Sequence, residues 1–376
     1  MDWLFVLSLG FILYTYLIYP GLIVLIGYCV GRRGASDSIA PQPAVAMIIP
    51  AYNEAACIAE KIRNVLNSSY PRHLLRVVVV SDGSTDGTAL QAKLIADARV
   101  QVVEIAQRQG KVKAINTVIS MVNEPVLILT DAAEMFDPHA ISYLVGNFAD
   151  PGVGAVSGEL EFIDAHTGFS RNIGLYWRYE RKIRIAESRV GSIVGVTGAI
   201  YAIRRECFRT LPADTILDDV AIPFEAIRQG YRVHYEPRAR AYAQATPDIT
   251  QEFLRKRRTL AGNYQLISRY FDLLIPFNGP IALQFLSHKV FRLLVPYALL
   301  GMFISSWFLA EPFKSVLLAS QFVFYSSAIV AFRFGKRVRL SIFTLPYTFC
   351  ALNWAAVAGC YYYFSGIQTA KWEKVK

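Results

Sequence analysis

Several acidic residues of this chain follow directly after short apolar runs, where buried strands are expected to end. Asp82 closes the run VVVVSD, and Asp131 follows the run LILT. A further acidic pair, Asp218-Asp219, precedes a stretch with a helical pattern. In an open parallel sheet, ligands bind beyond the carboxyl ends of the strands, so we expect these carboxylates to meet in one cleft. Carboxylates there can accept hydrogen bonds, bind a divalent cation or remove a proton from a hydroxyl group.

The motif PAYNE, at residues 50–54, joins an apolar run to a predicted helix. Pro50 would end the strand pairing, because proline has no backbone N–H to donate. Tyr52 offers a flat face to a nucleobase, and Glu54 stands near the predicted helix start. The alternative interpretation is a structural turn between strand and helix.

The motif SDGSTDGT, at residues 81–88, also follows an apolar run. Asp82 could accept hydrogen bonds from a base imide or a ribose hydroxyl. Ser84, Thr85 and Asp86 are equally suited to a turn that caps the next helix. The two interpretations are compatible, because different residues of the motif would carry them.

The motif GKVKAIN, at residues 110–116, places Lys111 and Lys113 at the start of a predicted helix. A helix N-terminus with lysines is a favourable seat for phosphate. The motif is not a P-loop, because Ile105 stands where the first glycine would be required and Val112 follows the lysine. An ordinary solvated helix start is the alternative.

Strand and helix patterns alternate from residue 44 to about residue 247. Such alternation predicts an α/β domain, a mostly parallel sheet with crossover helices. The predicted strands are Val45–Pro50, Arg76–Ser81, Val100–Ile105, Pro125–Thr130, Val153–Gly158, Val194–Arg205 and Tyr231–Glu236. The predicted helices include Glu54–Leu66, Lys111–Met121 and Arg171–Arg189.

The hydrophobic residues, 54% of the chain, concentrate at its two ends. Residues 1–30 form an uncharged run from Trp3 onward, long enough to cross about 30 Å of hydrocarbon as a helix. A cleaved signal peptide fits poorly, because no basic residue precedes the run and no small-residue cleavage site follows it. Arg32 and Arg33 come next, so the positive-inside rule predicts a multi-pass protein with its N-terminus outside and residue 31 onward in the cytoplasm.

Residues 31–43 are predicted to be a linker, and residues 44–250 the cytoplasmic domain. Residues 251–292 are expected to form amphipathic helices in the membrane interface. Residues 293–366 should hold two or three spans, followed by a tail at 367–376. The basic loop 333–339 is expected inside, while the side on which the tail lies stays open.

The net charge of +10 agrees with membrane surfaces and phosphorylated substrates as partners. Nucleic acid is not expected, because no recognition motif accompanies the charge. The five cysteines are scattered without a CxxC pair, which argues against a disulfide framework and a structural zinc site.

The motifs, taken in order, carry a resemblance to a known family. PAYNE, SDGSTDGT, GKVKAIN, LTDAAE, VTGAIYAIRR and LDDVAIPFEAIRQGYRV resemble a membrane-bound family-2 glycosyltransferase of the bacterial exopolysaccharide or envelope-glycan type. The resemblance covers about residues 44–265. It implies the GT-A fold, an inverting mechanism, a nucleotide-diphosphate sugar donor, Mg²⁺ or Mn²⁺ as cofactor, and a place in the bacterial inner membrane.

The resemblance also implies roles for single residues. On the donor side it implies contacts by Pro50, Tyr52, Glu54, Asp82, Lys111, Asp131 and Arg258. Asp131 matches the first acid of a DxD-type motif and would hold the divalent ion. Thr197, Gly198 and Asp218 would lie on the acceptor side, and Asp219 would be the general base.

Two departures from the family pattern affect these roles. The second acid of the DxD motif is missing, since Ala133 stands in its place. Either Glu134 substitutes for it, or Asp131 shares the ion with phosphates and water, as Mg²⁺ sites often do. The QxxRW motif of processive synthases is replaced by RKRRT at 255–259, with Arg258 in the arginine position. Residues 255–257 could contact anionic lipid heads or form a solvated basic face.

We therefore expect a membrane-anchored inverting glycosyltransferase. It would move a hexose or amino-hexose, from a UDP-sugar, to a lipid-linked or growing glycan acceptor. One alternative is a processive polysaccharide synthase that also exports its product, with a homo-oligomer or an export partner completing the channel. Another is a non-catalytic membrane protein that keeps a nucleotide-sugar-binding fold.

Overall fold

The computed structural model describes residues 2–30, 42–163, 168–244, 249–334 and 341–370. The chain forms two compact units. The sheet unit consists of Val30–Ile163, Gly191–Gln244 and Thr369–Lys376. The helical unit consists of Met1–Cys29, Asp164–Val190 and Ala245–Gln368.

The strands and helices of the described residues are numbered in chain order. The strands are β1 (Val45–Ala51), β2 (Leu75–Asp82), β3 (Val100–Ile105), β4 (Val126–Leu129), β5 (Met135–Phe136), β6 (Val153–Ile163), β7 (Tyr201–Arg204) and β8 (Arg232–Gln244). The helices are α1 (Asp2–Leu13), α2 (Tyr19–Cys29), α3 (Ile58–Leu66), α4 (Thr88–Lys93), α5 (Lys111–Ile119), α6 (Ala140–Gly146), α7 (Gly168–Val190), α8 (Asp218–Arg228), α9 (Ile249–Arg269), α10 (Pro280–Phe285), α11 (Phe291–Ser306), α12 (Phe313–Phe334) and α13 (Ser341–Phe364).

The sheet unit is built on a sheet with the strand order β3-β2-β1-β4-β7-β6-β8-β5. The first four strands in this order are parallel, as the sequence pattern predicts. The sheet as a whole is mixed, because β7 runs antiparallel to both β4 and β6. The parallel half carries the motif-bearing strands β1, β2 and β4 side by side, so their carboxyl ends meet at one edge of the sheet.

The burial pattern in the parallel half of the sheet follows from the apolar residues of its strands and helices. Val77 to Val80 are fully buried on both faces of the sheet, as expected for a strand covered by helices on each side. In α3, the buried residues Ile58, Ile62 and Val65 recur at intervals of three and four and form one apolar stripe. Together with Val77 and Val79, these α3 residues belong to one hydrophobic cluster of buried side chains.

The predicted strand Val194–Arg205 is wrong in its first part. The strand is only β7, and residues 191–200 form an irregular loop before it. Gly195 has a φ of +106°, and the Ile200 amide donates to the Thr197 carbonyl at 3.0 Å, which makes a turn. A strand cannot continue through a positive φ and a tight turn. This loop presents Thr197 and Gly198 at the strand end.

Two other strands are longer than predicted. β6 continues to Ile163 and β8 to Gln244, because the two pair in parallel over their whole length. The short strand β5 was not predicted, and it pairs antiparallel with β8 through Met135 and Phe136.

Within the described residues, the helical unit contains four helices that are long and apolar enough to cross a membrane. They are Asp2–Cys29, Pro280–Ser306, Phe313–Phe334 and Ile342–Phe364. One is N-terminal and three are C-terminal, which lies within the predicted count. The Cys residues of the chain are all free thiols.

The predicted boundary between an interfacial segment and a span at residue 292 falls inside the continuous run Pro280–Ser306. His288 and Arg292, at the end of the segment predicted to be interfacial, form ion pairs and hydrogen bonds within the unit. His288 lies between Glu180, at 2.9 Å from Nε2, and Glu187, at 2.7 Å from Nδ1. Arg292 Nη1 donates to Glu180 at 2.5 Å. Buried ionisable groups at membrane depth are expected to pair in this way.

Candidate active site

The strand ends of the sheet unit bring three of the predicted residues together. The Lys111 Nζ lies 2.8 Å from Asp131 Oδ1 and 3.2 Å from Asp218 Oδ2. Lys111 is the first residue of α5, and Asp218 is the first residue of α8. Burial alone would lower the pKa of Lys111, but the charges of Asp131 and Asp218 outweigh it and raise that pKa. Lys111 is therefore a permanent cation.

The two carboxylates that share this cation differ in exposure. The Asp131 side chain is 43% exposed, whereas that of Asp218 is 9% exposed. Asp131 is therefore the carboxylate that an incoming ligand can reach. Asp218 neutralises Lys111 from the protein interior. Acidic residues in the first turn of α8 also complement the dipole of that helix.

The acceptor-side residues lie next to the predicted base. A Cβ placed on Gly198 would be 3.3 Å from Asp219 Oδ2, so the glycine leaves the carboxylate room. The Asp219 carbonyl accepts a hydrogen bond from the Val196 amide at 3.1 Å. The Thr197 amide donates to Ser157 Oγ at 3.0 Å, which fixes the loop to β6. The loop 191–200 and the start of α8 are thus one contiguous surface.

The PAYNE and SDGSTDGT motifs brace each other. Asn53 Oδ1 accepts from the Thr85 amide at 2.9 Å, and Ser84 Oγ accepts from the Asn53 amide at 3.1 Å. Asp86 Oδ2 accepts from the Ala55 amide at 3.0 Å. Asn53 takes a φ of +54°, which asparagine tolerates better than most residues. The structural interpretation of both motifs is therefore correct for these residues.

Asp82 is buried and has backbone partners on both carboxylate oxygens. Oδ1 accepts from the Gln109 amide and Oδ2 from the Gly110 amide, each at 2.7 Å. A Cβ on the adjacent Gly83 would be 2.4 Å from the Arg108 nitrogen, so only glycine fits there. Asp82 therefore holds the loop that leads into α5 and Lys111, and its predicted contact with a base stays a prediction.

The predicted nucleoside-side residues are arranged around that loop. The Arg108 guanidinium lies 3.9 Å from the centre of the Tyr52 ring. Glu54 is buried, and its amide donates to Thr88 Oγ1 at 2.8 Å. Pro50 is partly buried in β1. The sequence patterns did not single out Arg108. Its position just before the motif GKVKAIN was the signal that could have identified it.

Lys61, which the sequence patterns did not single out, is fully buried in α3. Its Nζ donates to Thr130 Oγ1 at 2.9 Å and to the Glu134 carbonyl at 2.5 Å, and it lies 3.9 Å from the centre of the Phe136 ring. Thr130 Oγ1 in turn donates to the Ala199 carbonyl at 2.7 Å. Lys61 thus ties the turn that carries Asp131 to the loop that carries Gly198.

Glu134, the candidate substitute for the missing second acid, and Tyr201, which the sequence patterns did not assign, are two further polar groups of the sheet unit. Burial, together with the charge of Asp131, raises the pKa of Glu134. Burial and the charges of Asp218 and Asp219 raise the pKa of Tyr201. Glu134 Oε2 and the Tyr201 hydroxyl are buried without a hydrogen-bond partner in the described part of the chain. Both are polar groups that a ligand at this site could satisfy.

The carboxylates at the strand ends offer few ligands for a divalent cation. The described residues contain no group of three or more His, Cys, Asp or Glu side chains placed to hold a metal ion. One half-exposed carboxylate, Asp131, fits a cation whose remaining ligands are phosphate oxygens and water. Glu134 Oε2 is buried without a hydrogen-bond partner, so this residue could supply a second protein ligand to the cation.

Arg258 belongs to α9 in the helical unit and is partly buried. Its predicted contact with the donor diphosphate stays a prediction. The remaining predicted site residues all belong to the sheet unit.

Comparison with known proteins agrees with this arrangement. Residues 41–262 match the family described as glycosyltransferase like family 2. The match covers more than half of the chain and includes all the strand-end motifs. The chain belongs to this glycosyltransferase family.

Two named relatives are bacterial proteins. An N-acetylglucosaminyltransferase of Azorhizobium caulinodans is 28% identical over 239 residues, which are 59% of this chain and 60% of that protein. A poly-beta-1,6-N-acetyl-D-glucosamine synthase of Staphylococcus aureus is 23% identical over 233 residues, which are 60% of this chain and 56% of that protein. The matches thus span about 60% of the length of these relatives.

A solved structure shares the fold. The mannosyltransferase PcManGT of Pyrobaculum calidifontis, in complex with GDP-Man and Mn²⁺, superimposes with a TM-score of 0.74 at 22% identity. The superposition covers 96% of this chain and 99% of that one. The predicted GT-A fold is confirmed.

Proposed function

We propose that this protein is an inverting glycosyltransferase that moves a hexose or amino-hexose from a nucleotide-diphosphate sugar to a glycan or lipid-linked acceptor. One observation carries the proposal. Lys111 and the half-exposed Asp131 stand together at the strand ends, and Asp219 lies beside Gly198 on the same unit. The cluster offers a cation for the leaving diphosphate and a carboxylate for the acceptor.

The chemistry assigns one task to each group. Asp219 takes the proton of the acceptor hydroxyl while the hydroxyl oxygen attacks the anomeric carbon. The bond between that carbon and the diphosphate oxygen breaks, and the nucleoside diphosphate leaves with the electron pair. Lys111 faces the negative charge that develops on the leaving group. A divalent cation held by Asp131 would neutralise the same charge when bound. Inversion of an α-linked donor gives a β-linked product.

The donor-side assignments follow from the same arrangement. Tyr52, with Arg108 against one face, would receive the base by stacking. Pro50, Glu54 and Asp82 would shape the nucleoside site, and Arg258 would contact the diphosphate. The names of the bacterial relatives support an amino-hexose as the transferred sugar. A UDP-sugar as its donor is our proposal from the family resemblance of the motifs. The Mn²⁺ in the solved mannosyltransferase supports a divalent cation.

The test is the substitution Asp219→Asn in purified protein supplied with a panel of nucleotide sugars. We expect kcat to fall by about 10²–10⁴-fold, because the general base is removed, while donor binding is retained. Turnover is measured as release of nucleoside diphosphate, and donor binding by calorimetry. Asp214→Asn, at an exposed position a few residues before α8, is the matched control and should leave kcat unchanged.

Two outcomes would contradict the proposal. Equal turnover in Asp219→Asn and the parent protein would remove the base assignment. Donor binding with no turnover by the parent protein, across the donor and acceptor panel, would instead favour a non-catalytic binding protein.

A processive synthase is the second candidate, and the name of the Staphylococcus aureus relative favours it. The chain would then add many sugars, and a homo-oligomer or an export partner would help the product across the membrane. Mass analysis of products from membranes supplied with one donor distinguishes the two. A ladder of long products supports the processive synthase, and a single added sugar supports the simple transferase.

A further inference from the structure

One buried hydroxyl of the active-site cluster has no task in the reaction described above. Tyr201, the first residue of β7, is 1% exposed. Its hydroxyl forms no hydrogen bond within the described part of the chain. A buried hydroxyl without a partner destabilises a fold, so phenylalanine would serve better at this position if packing were the only need.

Strand alternation sets the direction of the Tyr201 side chain. Its neighbours Ile200 and Ala202 belong to the hydrophobic cluster that contains the apolar stripe of α3. Successive side chains of a strand point to opposite faces of the sheet, so Tyr201 points to the other face. The buried residues of α5 and α8 lie outside that cluster, and these two helices begin with Lys111 and Asp218. Tyr201 therefore shares a face of the sheet with the cation and its buried carboxylate.

The position and surroundings of Tyr201 agree with this direction. It pairs with Leu129 of β4, two residues before Asp131. Burial raises the pKa of the Tyr201 hydroxyl, and the nearby charges of Asp218 and Asp219 raise it further. The hydroxyl therefore keeps its proton at neutral pH and can donate it in a hydrogen bond to a carboxylate.

Asp218 supplies an acceptor that also lacks a hydrogen bond. Its Oδ2 is buried and has no hydrogen-bond partner among the residues that the structure describes. The Lys111 Nζ lies 3.2 Å from this oxygen, but it donates its hydrogen bond to Asp131 Oδ1 at 2.8 Å. Oδ2 of Asp218 thus interacts with the cation through charge and not through a hydrogen bond.

A bound diphosphate would weaken the ion pair between Lys111 and Asp218. In the proposed function the leaving diphosphate faces Lys111, so a third anion would share one ammonium with Asp131 and Asp218. The Asp218 side chain is only 9% exposed, and a buried carboxylate that loses part of its cation needs another donor. The Tyr201 hydroxyl is a donor of the same cluster that is still unpaired.

We propose that Tyr201 is a positioning residue, which donates a hydrogen bond to Asp218 when a diphosphate occupies Lys111. The inference rests on the proposed function, because it needs a phosphorylated ligand at this lysine. The hydroxyl would hold the Asp218 carboxylate in place, and with it the first turn of α8 that carries Asp219. Tyr201 acts through Asp218 and does not touch the ligand.

The test compares Tyr201→Phe with the parent protein, both purified in detergent as the full chain. Calorimetric titration with UDP and with GDP measures nucleotide binding, and thermal unfolding without nucleotide measures stability. We expect Tyr201→Phe to bind the nucleotide about ten-fold more weakly, because the complex loses a hydrogen bond to a charged group. Its melting temperature without nucleotide should not fall, because the hydroxyl has no partner in the unliganded protein.

Tyr70→Phe is the matched control. The buried Tyr70 donates its hydroxyl hydrogen to the Pro43 carbonyl at 2.5 Å without any ligand. This variant should therefore melt at a lower temperature than the parent protein and bind the nucleotide as the parent does. The two tyrosines are thus expected to give opposite patterns of stability and binding.

A double-mutant cycle with Asp218→Ala identifies the partner of the hydroxyl. Whatever the affinity of Asp218→Ala itself, adding Tyr201→Phe to it should not change that affinity, because the acceptor is already absent. An equal loss of affinity in both backgrounds would mean that the hydroxyl contacts the ligand directly, which would overturn the inference.

Three further results would overturn it. The first is parent-like nucleotide affinity in Tyr201→Phe. The second is a lower melting temperature of unliganded Tyr201→Phe together with parent-like binding, which would make the hydroxyl structural. The third is a parent protein that binds neither UDP nor GDP. A parent protein that shows the expected binding pattern but transfers no sugar would instead contradict the proposed function and leave the role of Tyr201 intact.

Discussion

At the scale of single residues, the site divides its carboxylates between ligand and scaffold. Asp131 is half-exposed, whereas Asp82 gives both its oxygens to the backbone amides of the loop before α5. Asp131 and Asp82 thus have different roles, although both are aspartates at neighbouring strand ends. Only the carboxylate with an open face is suited to share a metal ion with a diphosphate.

Metal removal tests the assignment of Asp131. We expect turnover to be lost in excess chelator and restored by Mg²⁺ or Mn²⁺, because the leaving diphosphate then lacks its counter-charge. Ala133→Asp, which completes the missing acidic pair, should lower the concentration of Mn²⁺ that gives half-maximal turnover. Full activity in chelator would contradict a metal role at Asp131, whatever the behaviour of the variant.

Lys61 is the residue whose importance we predict from the structure alone. Lys61→Met should lower the free energy of unfolding by about 1–3 kcal/mol, because the Glu134 carbonyl and the Thr130 hydroxyl lose a buried donor. It should also lower kcat/KM, since Thr130 connects the Asp131 turn to the Ala199 carbonyl. Melting in detergent and steady-state kinetics measure the two effects.

Lys93→Met is the control for Lys61→Met. Lys93 pairs with Glu104 at the surface, where its side chain is 55% exposed. Surface ion pairs contribute little, so this variant should melt and react like the parent protein. If Lys61→Met also melted and reacted like the parent protein, the hydrogen bonds from Lys61 through Thr130 to Ala199 would contribute nothing to stability or turnover.

At the scale of elements, close helix contacts organise the helical unit. Gly27 brings α2 against α7, since a Cβ there would be 3.0 Å from the Ala186 Cα. Gly359 does the same for α13 and α9. Small residues at such crossings are the usual means by which membrane helices approach each other. The polar residues of α7 and of the run Pro280–Ser306 add hydrogen bonds, including that from the Tyr19 hydroxyl to Glu187 at 2.6 Å.

We predict that Gly359→Ala destabilises the helical unit by about 1–3 kcal/mol, because the added methyl group meets the Ala261 backbone at 2.9 Å. Thermal unfolding in detergent is the measurement. Gly10→Ala is the matched control, since a Cβ at Gly10 meets nothing within 4 Å in α1. Equal melting temperatures for the two variants would show that α9 and α13 can separate without cost.

At the scale of the whole molecule, the four candidate spans lead to a topology prediction. With the N-terminus outside, residues 31–279 and the loop 335–340 are expected inside. Because α9 lies in that range and contacts Gly359 near the end of α13, the tail is expected inside as well, with α13 not crossing simply. This order keeps both the basic loop and the basic tail in the cytoplasm. Fusions of alkaline phosphatase and of a fluorescent protein after residue 370 and within 335–340 test it.

The expected pattern is fluorescence for the fusion at residue 370 and for the fusion in the loop. Phosphatase activity at residue 370 would instead mean that all four apolar helices cross. Since the positive-inside rule acts mainly on short loops, the loop between α12 and α13 is the more informative site.

The sequence by itself determined the strand ends and their motifs. Short apolar runs followed by polar turns predict strand ends, and the order of the motifs led to the family. Those signals are local, because alternation and turn chemistry depend on neighbouring residues. They also predicted the residues that meet at Lys111, since the carboxyl ends of parallel strands share one edge.

Only the tertiary structure decided which polar residues face a ligand and which hold the scaffold. Lysine side chains are almost never fully buried, yet Lys61 is, and it bonds to the turn that carries Asp131. His288 and Arg292 lie in the segment predicted to be interfacial, yet they pair with Glu180, more than 100 residues earlier in the chain. Burial and partners at such separations come from packing, and no local pattern of residues carries that information.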